Sequence, residues 1–219
     1  IPILIQKESV SYLLGRMTEM SISKPSLFIS FEGIDGCGKS TQVSMLVEKF
    51  KRKKIDYLLV REPGSTFISE KIRKILLDKE LGEINPRTEA LLMIASRAQL
   101  TKEIIIPKLK SGYVIISDRY IDSTIAYQGA GRGLSIDLLD EINNFATHEL
   151  KPDITFLIDL SSKLASKRRK KSELDRIEKV GNKFQEKVRD QYLKLASENK
   201  NRFVILDGKP TPENIHKII

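Results

Sequence analysis

The residues 33–40 read Gly33-Ile34-Asp35-Gly36-Cys37-Gly38-Lys39-Ser40, a full match to the pattern G-x-x-x-x-G-K-[ST]. Glycines at these positions let successive backbone N–H groups turn inward around a phosphate with no Cβ in the way. The helix expected to start near Lys39 adds the positive end of its dipole, with Ser40 and Thr41 in its first turn. Lys39 would reach the β- and γ-phosphates of a nucleoside triphosphate, and the Ser40 hydroxyl would ligate Mg²⁺. Three further residues have the chemistry to complete such a site. Asp118 ends an apolar run and suits a second Mg²⁺ ligand, held directly or through water; Arg119 beside it and Arg61 after another apolar run suit bidentate grip on phosphate.

These groups need strands that end together. Leu27-Phe28-Ile29-Ser30-Phe31 precedes the loop, Tyr57-Leu58-Leu59-Val60 precedes Arg61, and Tyr113-Val114-Ile115-Ile116-Ser117 precedes Asp118. Residues 154–158 and 203–206 supply two more apolar runs. Helical spacing lies between them: Val43, Leu46, Val47 and Phe50 share one face, and helices are expected over residues 68–79, 87–110, 137–147, about 161 onward, about 180–199, and after Pro212. Pro107 is expected to interrupt the second of the six. Alternating strands and helices predict an α/β fold: a five-stranded parallel sheet with helices on both faces. At the carboxyl edge of such a sheet Arg61, Asp118 and the glycine-rich loop come together.

No linker or repeat divides residues 25–219, which read as one domain. Residues 1–24 stand outside the alternation. Ile3, Leu4, Val10, Leu13, Leu14 and Met17 could form the apolar face of a docking helix, but an extension from an upstream start is the expectation. A single cysteine, Cys37, leaves no internal disulfide and suits a reducing cytoplasm. No apolar run approaches the roughly 20 residues that a spanning helix needs, so no membrane partner is expected. The net charge of +9 admits nucleic acid as a partner, but six basic residues with no acid lie in 163–171 alone. An enzyme gripping two polyanionic nucleotides needs the same excess, and neither zinc-finger spacing nor an aromatic-basic recognition pattern is present. A guanine-nucleotide switch is the other alternative; no Asn-Lys-x-Asp segment supports it.

Four further segments carry a resemblance: Arg61-Glu62-Pro63-Gly64-Ser65-Thr66; Ser96-Arg97-Ala98-Gln99; Asp118-Arg119-Tyr120 through Ser123-Thr124 to Ala126-Tyr127-Gln128-Gly129; and Glu173-Leu174-Asp175-Arg176-Ile177-Glu178. With the loop they are similar to the thymidylate kinases among the P-loop nucleoside-monophosphate kinases, over about residues 27–219. The resemblance implies transfer of phosphate from ATP-Mg to dTMP by a homodimer. It implies that Arg61 contacts the dTMP phosphate, that Pro63 follows a cis peptide bond, and that Arg119 lies between donor and acceptor phosphates. It matches Asp35 to a carboxylate taking the 3′-hydroxyl of dTMP. Arg97, Thr124 and Gln128 match base-contacting positions, and Tyr127 the ring that excludes a 2′-hydroxyl.

Residues of about 163–178 resemble the family's mobile lid. One branch of the family carries an arginine directly after the loop carboxylate; here that position is Gly36, so Arg168, Arg169, Lys170 and Lys171 are the candidates for the missing cation. Charge on a transferring phosphoryl group must be neutralised with water excluded. Met93 departs from the family's phenylalanine, one helical turn before Arg97, and a thioether packs on a ring with less fixed geometry. His148 and His216 lie outside every motif.

Overall fold

The computed structural model describes residues 26–169, 176 and 180–219. Five strands form one parallel sheet in the order β2-β3-β1-β4-β5: β1 Leu27–Glu32, β2 Tyr57–Arg61, β3 Val114–Asp118, β4 Ile154–Asp159 and β5 Phe203–Asp207. β1 is buried along its whole length, as a central parallel strand with both faces covered must be. Successive residues face opposite sides of the sheet. Leu27, Ile29 and Phe31 join the larger core with Val43, Leu46, Phe50 and Tyr192, while Phe28 joins Ile115, Leu100 and Tyr120 in a second core. The register pairs Phe31 with Asp118 and Asp118 with Arg61, so the three strand ends converge on one edge.

Helix α1 (Lys39–Lys53) ends at Lys54, which takes the left-handed conformation, with Lys51, Arg52 and Lys53 against the negative end of its dipole. Helix α2 (Phe67–Leu77) starts at Thr66, whose hydroxyl accepts from the Ser69 N–H at 3.1 Å. Asn85 caps α3 (Pro86–Leu100) through the Arg87 N–H at 2.9 Å. The expected break at Pro107 does not occur. A π-helical turn over Thr101–Ile105, in which the Ile106 N–H reaches back to the Thr101 carbonyl, leads directly into α4 (Ile106–Lys110). The wider turn sets the proline among helical residues without forcing the chain out of the helix.

One element had no expected counterpart: α5 (Ile121–Thr124) continues into a π-helical stretch over Ile125–Gly131. Residues 121–129 are all buried, so they carry no apolar stripe for periodicity to detect. The remaining helices are α6 (Ile136–Thr147), α7 (Ser162–Arg168), α8 (Asn182–Glu198) and α9 (Pro212–His216). α8 buries Phe184, Val188 and Tyr192 at four-residue spacing, with Tyr127 in the same core. The expected extension over residues 1–24 and the basic residues Lys170 and Lys171 lie outside the described residues.

Candidate active site

The loop between β1 and α1 keeps Ile34 and Cys37 buried and leaves Ser40 and Thr41 exposed. The Lys39 ammonium donates to the Gly33 and Ile34 carbonyls at 3.0 and 3.1 Å. Gly38 precedes the helix with φ of 111°, a conformation that glycine takes without strain. The Ser40 hydroxyl is 3.5 Å from Asp118 Oδ2, so the strand-end carboxylate and the first-turn hydroxyl face each other. Burial pushes the Cys37 thiol up, which keeps it an inert packing group under the loop.

Arg119 has a φ of 74°, unusual for a residue with a Cβ. Its backbone N–H donates to the Phe31 carbonyl at 3.1 Å, tying the β3 end to the β1 end. The guanidinium donates to the Gly33 carbonyl at 3.0 Å and to the Tyr127 hydroxyl at 3.1 Å, and pairs with Asp35. It lies 4.8 Å from the centre of the Tyr127 ring. The second oxygen of Asp35 accepts from the Tyr127 hydroxyl at 2.8 Å and the Gln185 amide at 3.2 Å. Burial alone would raise the Asp35 carboxyl; Arg119 and Lys39 outweigh it and hold the group below its ordinary value.

Beyond Arg119 lies a cavity of about 290 Å³ lined by Asp35, Arg61, Pro63, Arg73, Met93, Arg97, Asp118, Arg119, Thr124, Tyr127 and Gln128, among others. Lys39 and Ser40 line it too, so the loop and the cavity share one wall. The peptide bond between Glu62 and Pro63 is cis. Arg61 is half-exposed at the rim and donates to both oxygens of Glu70, at 3.2 and 3.1 Å. Arg97 is only 2 % exposed. Its Nε donates to Glu62 at 2.7 Å, its Nη1 to Thr124 and Asn143 at 2.7 and 2.6 Å, and its Nη2 to the Tyr120 carbonyl at 3.0 Å. All three nitrogens therefore have protein acceptors, and a ligand carbonyl here would compete with Thr124 or Asn143 for Nη1.

Of the lid arginines within the described residues, Arg168 and Arg169 sit against the loop. Arg168 donates to the Cys37 carbonyl at 3.4 Å and to the Gly208 carbonyl at 3.0 Å. A Cβ placed on Gly36 would lie 2.6 Å from the Ala165 carbonyl oxygen and 2.8 Å from Arg169 Cγ. The α7 backbone thus occupies the space that a side chain at position 36 would need. Arg176 lies elsewhere: it donates to the Leu76 carbonyl at 3.0 Å and to Glu89 at 2.6 Å.

Residues 31–219 match the family described as Thymidylate kinase. The chain belongs to the thymidylate kinase family. It is 50% identical over 193 residues to the thymidylate kinase of Fervidobacterium nodosum, covering 88% of this chain and 96% of that protein. The thymidylate kinase of Thermosipho africanus is also 50% identical over 189 residues, covering 86% and 93%. Among solved structures, a thymidylate kinase from Ehrlichia chaffeensis aligns with a TM-score of 0.71 at 33% identity, covering 88% of this chain and 95% of that one.

In this member of the thymidylate kinase family the structure adds groups that sequence reasoning missed. Arg73 lines the cavity and donates to the Pro63 carbonyl at 2.8 Å. Its signal was available in the spacing, since Arg73 lies one turn from both Ser69, which is buried, and Leu77, which is partly buried against the core. Glu32 gave no signal. Fully buried at the end of β1, it accepts from the Tyr120 N–H at 2.7 Å, the Ser123 hydroxyl at 2.7 Å and the Tyr192 hydroxyl at 2.8 Å. Burial, aided by nearby Asp122, pushes its carboxyl up to about 7. Burial likewise raises Glu62, with Arg97 opposing.

Proposed function

We propose that the protein transfers the γ-phosphoryl group of ATP, as its magnesium complex, to the phosphate of dTMP, giving dTDP and ADP. The observation that carries this reading is Arg119. One guanidinium touches the phosphate loop at Gly33 and Asp35 and lines the acceptor cavity, so donor and acceptor phosphates would meet at a single cation. Lys39 would hold the donor phosphates, and Arg61 and Arg73 the acceptor phosphate. Asp35, ionised at neutral pH, would take the 3′-hydroxyl, while the Tyr127 ring leaves no room for a 2′-hydroxyl. Arg97, Thr124 and Gln128 would face the base, with Met93 packed against it.

Among the described residues no cluster of three His, Cys, Asp or Glu could cage a metal. A serine hydroxyl beside one carboxylate suits Mg²⁺, which takes few protein oxygens and completes its shell with phosphate and water. When bound, that ion supplies charge neutralisation on the donor phosphates. The acceptor monoester is largely dianionic at pH 7, its second pKa being about 6, so it attacks without a general base. Neither histidine lines the cavity, in keeping with that chemistry. Catalysis then rests on alignment and on cations, with Arg168 and Arg169 as the lid's contribution.

A reducing cytoplasm suits the lone buried Cys37, and no helix among the described residues is long and apolar enough to cross a membrane. A second copy of the chain is the proposed partner. Leu91, Leu138 and Phe145 (87 % exposed) stand out from α3 and α6, two helices that share a core through Ala90, Ile94, Leu139 and Ala146. Sedimentation of the protein and of Phe145→Asp tests this; a monomeric parent would overturn it. The activity is tested by coupled ADP release with dTMP, dUMP, dCMP, UMP and AMP as acceptors. dTMP should show the highest kcat/KM, and faster turnover of UMP or AMP would replace the assignment with another nucleoside-monophosphate kinase.

A further inference from the structure

Glu89 is a carboxylate with no exposed surface, in the first turn of α3. A buried charge persists only when it is fully paired. Four bonds meet that demand: Gln128 Nε2 at 3.0 Å and Arg132 Nε at 3.2 Å on one oxygen, Arg132 Nη2 at 3.1 Å and Arg176 Nη2 at 2.6 Å on the other. Burial raises this carboxyl, but Arg132, Gln128 and Arg176 outweigh it and hold the group below its ordinary value. At neutral pH it is therefore an acceptor only.

The consequence falls on Gln128, which lines the acceptor cavity. A primary amide can turn over and exchange its oxygen for its nitrogen. Against an ionised carboxylate it cannot, because its oxygen would then meet another oxygen. Glu89, which does not line the cavity, therefore fixes the NH₂ toward itself and leaves the amide oxygen as the acceptor that Gln128 can offer to a base in the cavity. Thymine and uracil present an N3–H donor there, whereas cytosine presents an unprotonated N3 acceptor. An amide locked with its oxygen toward the base suits the first and sets two lone pairs together with the second. An amide free to turn would serve both.

We propose that Glu89 is a specificity-determining positioning residue, which locks the polarity of the Gln128 amide and so selects thymine and uracil over cytosine. The proposal rests on the reading that the acceptor is dTMP with its base against Gln128. It accounts for a buried carboxylate that lies behind the cavity lining and yet holds one cavity-lining side chain, Gln128, together with Arg132 and Arg176.

The test is Glu89→Gln, which keeps the shape but can donate as well as accept, and so frees Gln128 to turn. The ratio of kcat/KM for dTMP over dCMP should fall at least about tenfold, a site built to bond one partner being strongly selective only while its groups are fixed. The ratio of dTMP over dUMP should stay at its parental value, since both bases carry N3–H. Arg176→Met takes a bond from Glu89 without touching Gln128, and should leave both ratios unchanged even where stability drops. Should Glu89→Gln not fold, Glu89→Asp keeps the charge for the arginines but withdraws it from Gln128, and the same fall is expected. A folded Glu89 variant with the parental dTMP over dCMP ratio would overturn the proposal. A parent enzyme that itself prefers dCMP or UMP would instead overturn the acceptor assignment, so the two failures are separate.

Discussion

Gly36 is where the phosphate loop and the lid helix meet, and replacing it tests whether that contact is real. Two costs add in Gly36→Ala. The position has φ of +84°, and an L-residue in left-handed backbone costs about 1–2 kcal/mol. The new Cβ would also lie 2.6 Å from the Ala165 carbonyl oxygen, a backbone atom that cannot rotate away, so α7 must shift. Overpacking of this kind costs about 1–3 kcal/mol, giving a total of about 2–5 kcal/mol. At about 2–4 °C per kcal/mol for a domain of this size, the Tm should fall by at least about 4 °C. Gly133→Ala separates the two costs: its φ is +77° but nothing lies within 4 Å of the added Cβ, so it should lose only the backbone share. Thermal unfolding of both variants, with kcat for each, is the assay. Since α7 ends at Arg168 and leads directly into Arg169, kcat should fall in Gly36→Ala and hold in Gly133→Ala. Equal, small Tm losses with unchanged kcat would refute the packing of α7 on the loop, and with it the reason this chain has no arginine at position 36.

Three further outcomes are expected. Arg168→Ala with Arg169→Ala should lower kcat at least about tenfold to a hundredfold while Kd for dTMP hardly moves, because a cation used in the transition state acts on rate; near-normal kcat would transfer the role to Lys170 or Lys171. Met93→Phe should tighten dTMP by up to about 1 kcal/mol, read as roughly a fivefold lower Kd by calorimetry; a flat or higher Kd would place the base away from α3. Glu32 gives a pH signature, because its carboxyl is raised from 4.5 to about 7 by burial and Asp122. Between those values the unfolded chain has lost the proton that the folded protein keeps, so stability should fall as pH rises through that window and level off above it. Glu32→Gln should flatten the dependence across the window in denaturant titrations; an unchanged slope would assign it to another group.

The sheet was legible because apolar runs of four to six residues, each ended by glycine, arginine or aspartate, are what buried parallel strands require. All five formed; β1, β2, β4 and β5 extended by one residue, to Glu32, Arg61, Asp159 and Asp207, and β3 shifted by one to end at Asp118. Pro107 misled because a proline's missing N–H is a local fact, whereas the π-helical turn ahead of it depends on packing of Thr101 and Ile105 in the core. Residues 121–131 were legible as a motif and illegible as a helix. Burial on every side removes the contrast between faces on which periodicity depends, and these same residues carry Thr124, Tyr127 and Gln128 to the cavity.

Lys39, Arg61, Arg97, Arg119, Asp35 and Asp118 were legible, whereas the buried Glu32 and Glu89 were not, for a reason of distance along the chain. A loop lysine or a strand-end arginine declares its use through its neighbours in sequence. Glu32 finds its partners at Ser123 and Tyr192, and Glu89 finds Gln128 and Arg176, so only the folded chain reveals them. Those carboxylates decide how the positive groups behave. Arg97 is fixed by Glu62 and has no nitrogen to spare, which makes it a rigid wall. Arg119 is paired with Asp35, which Tyr127 and Gln185 also hold, and its guanidinium keeps contact with both the loop and the cavity. On the proposed reading, a deoxynucleotide that gives its 3′-hydroxyl to Asp35 and its phosphate to Arg119 meets both halves of that pair at once. The ion pair then loses less than either group would lose alone, because each gains a charge-assisted bond as it loosens its hold on the other. A ligand with the phosphate but no 3′-hydroxyl would draw Arg119 away from a buried carboxylate left short of one partner, which is the costlier exchange.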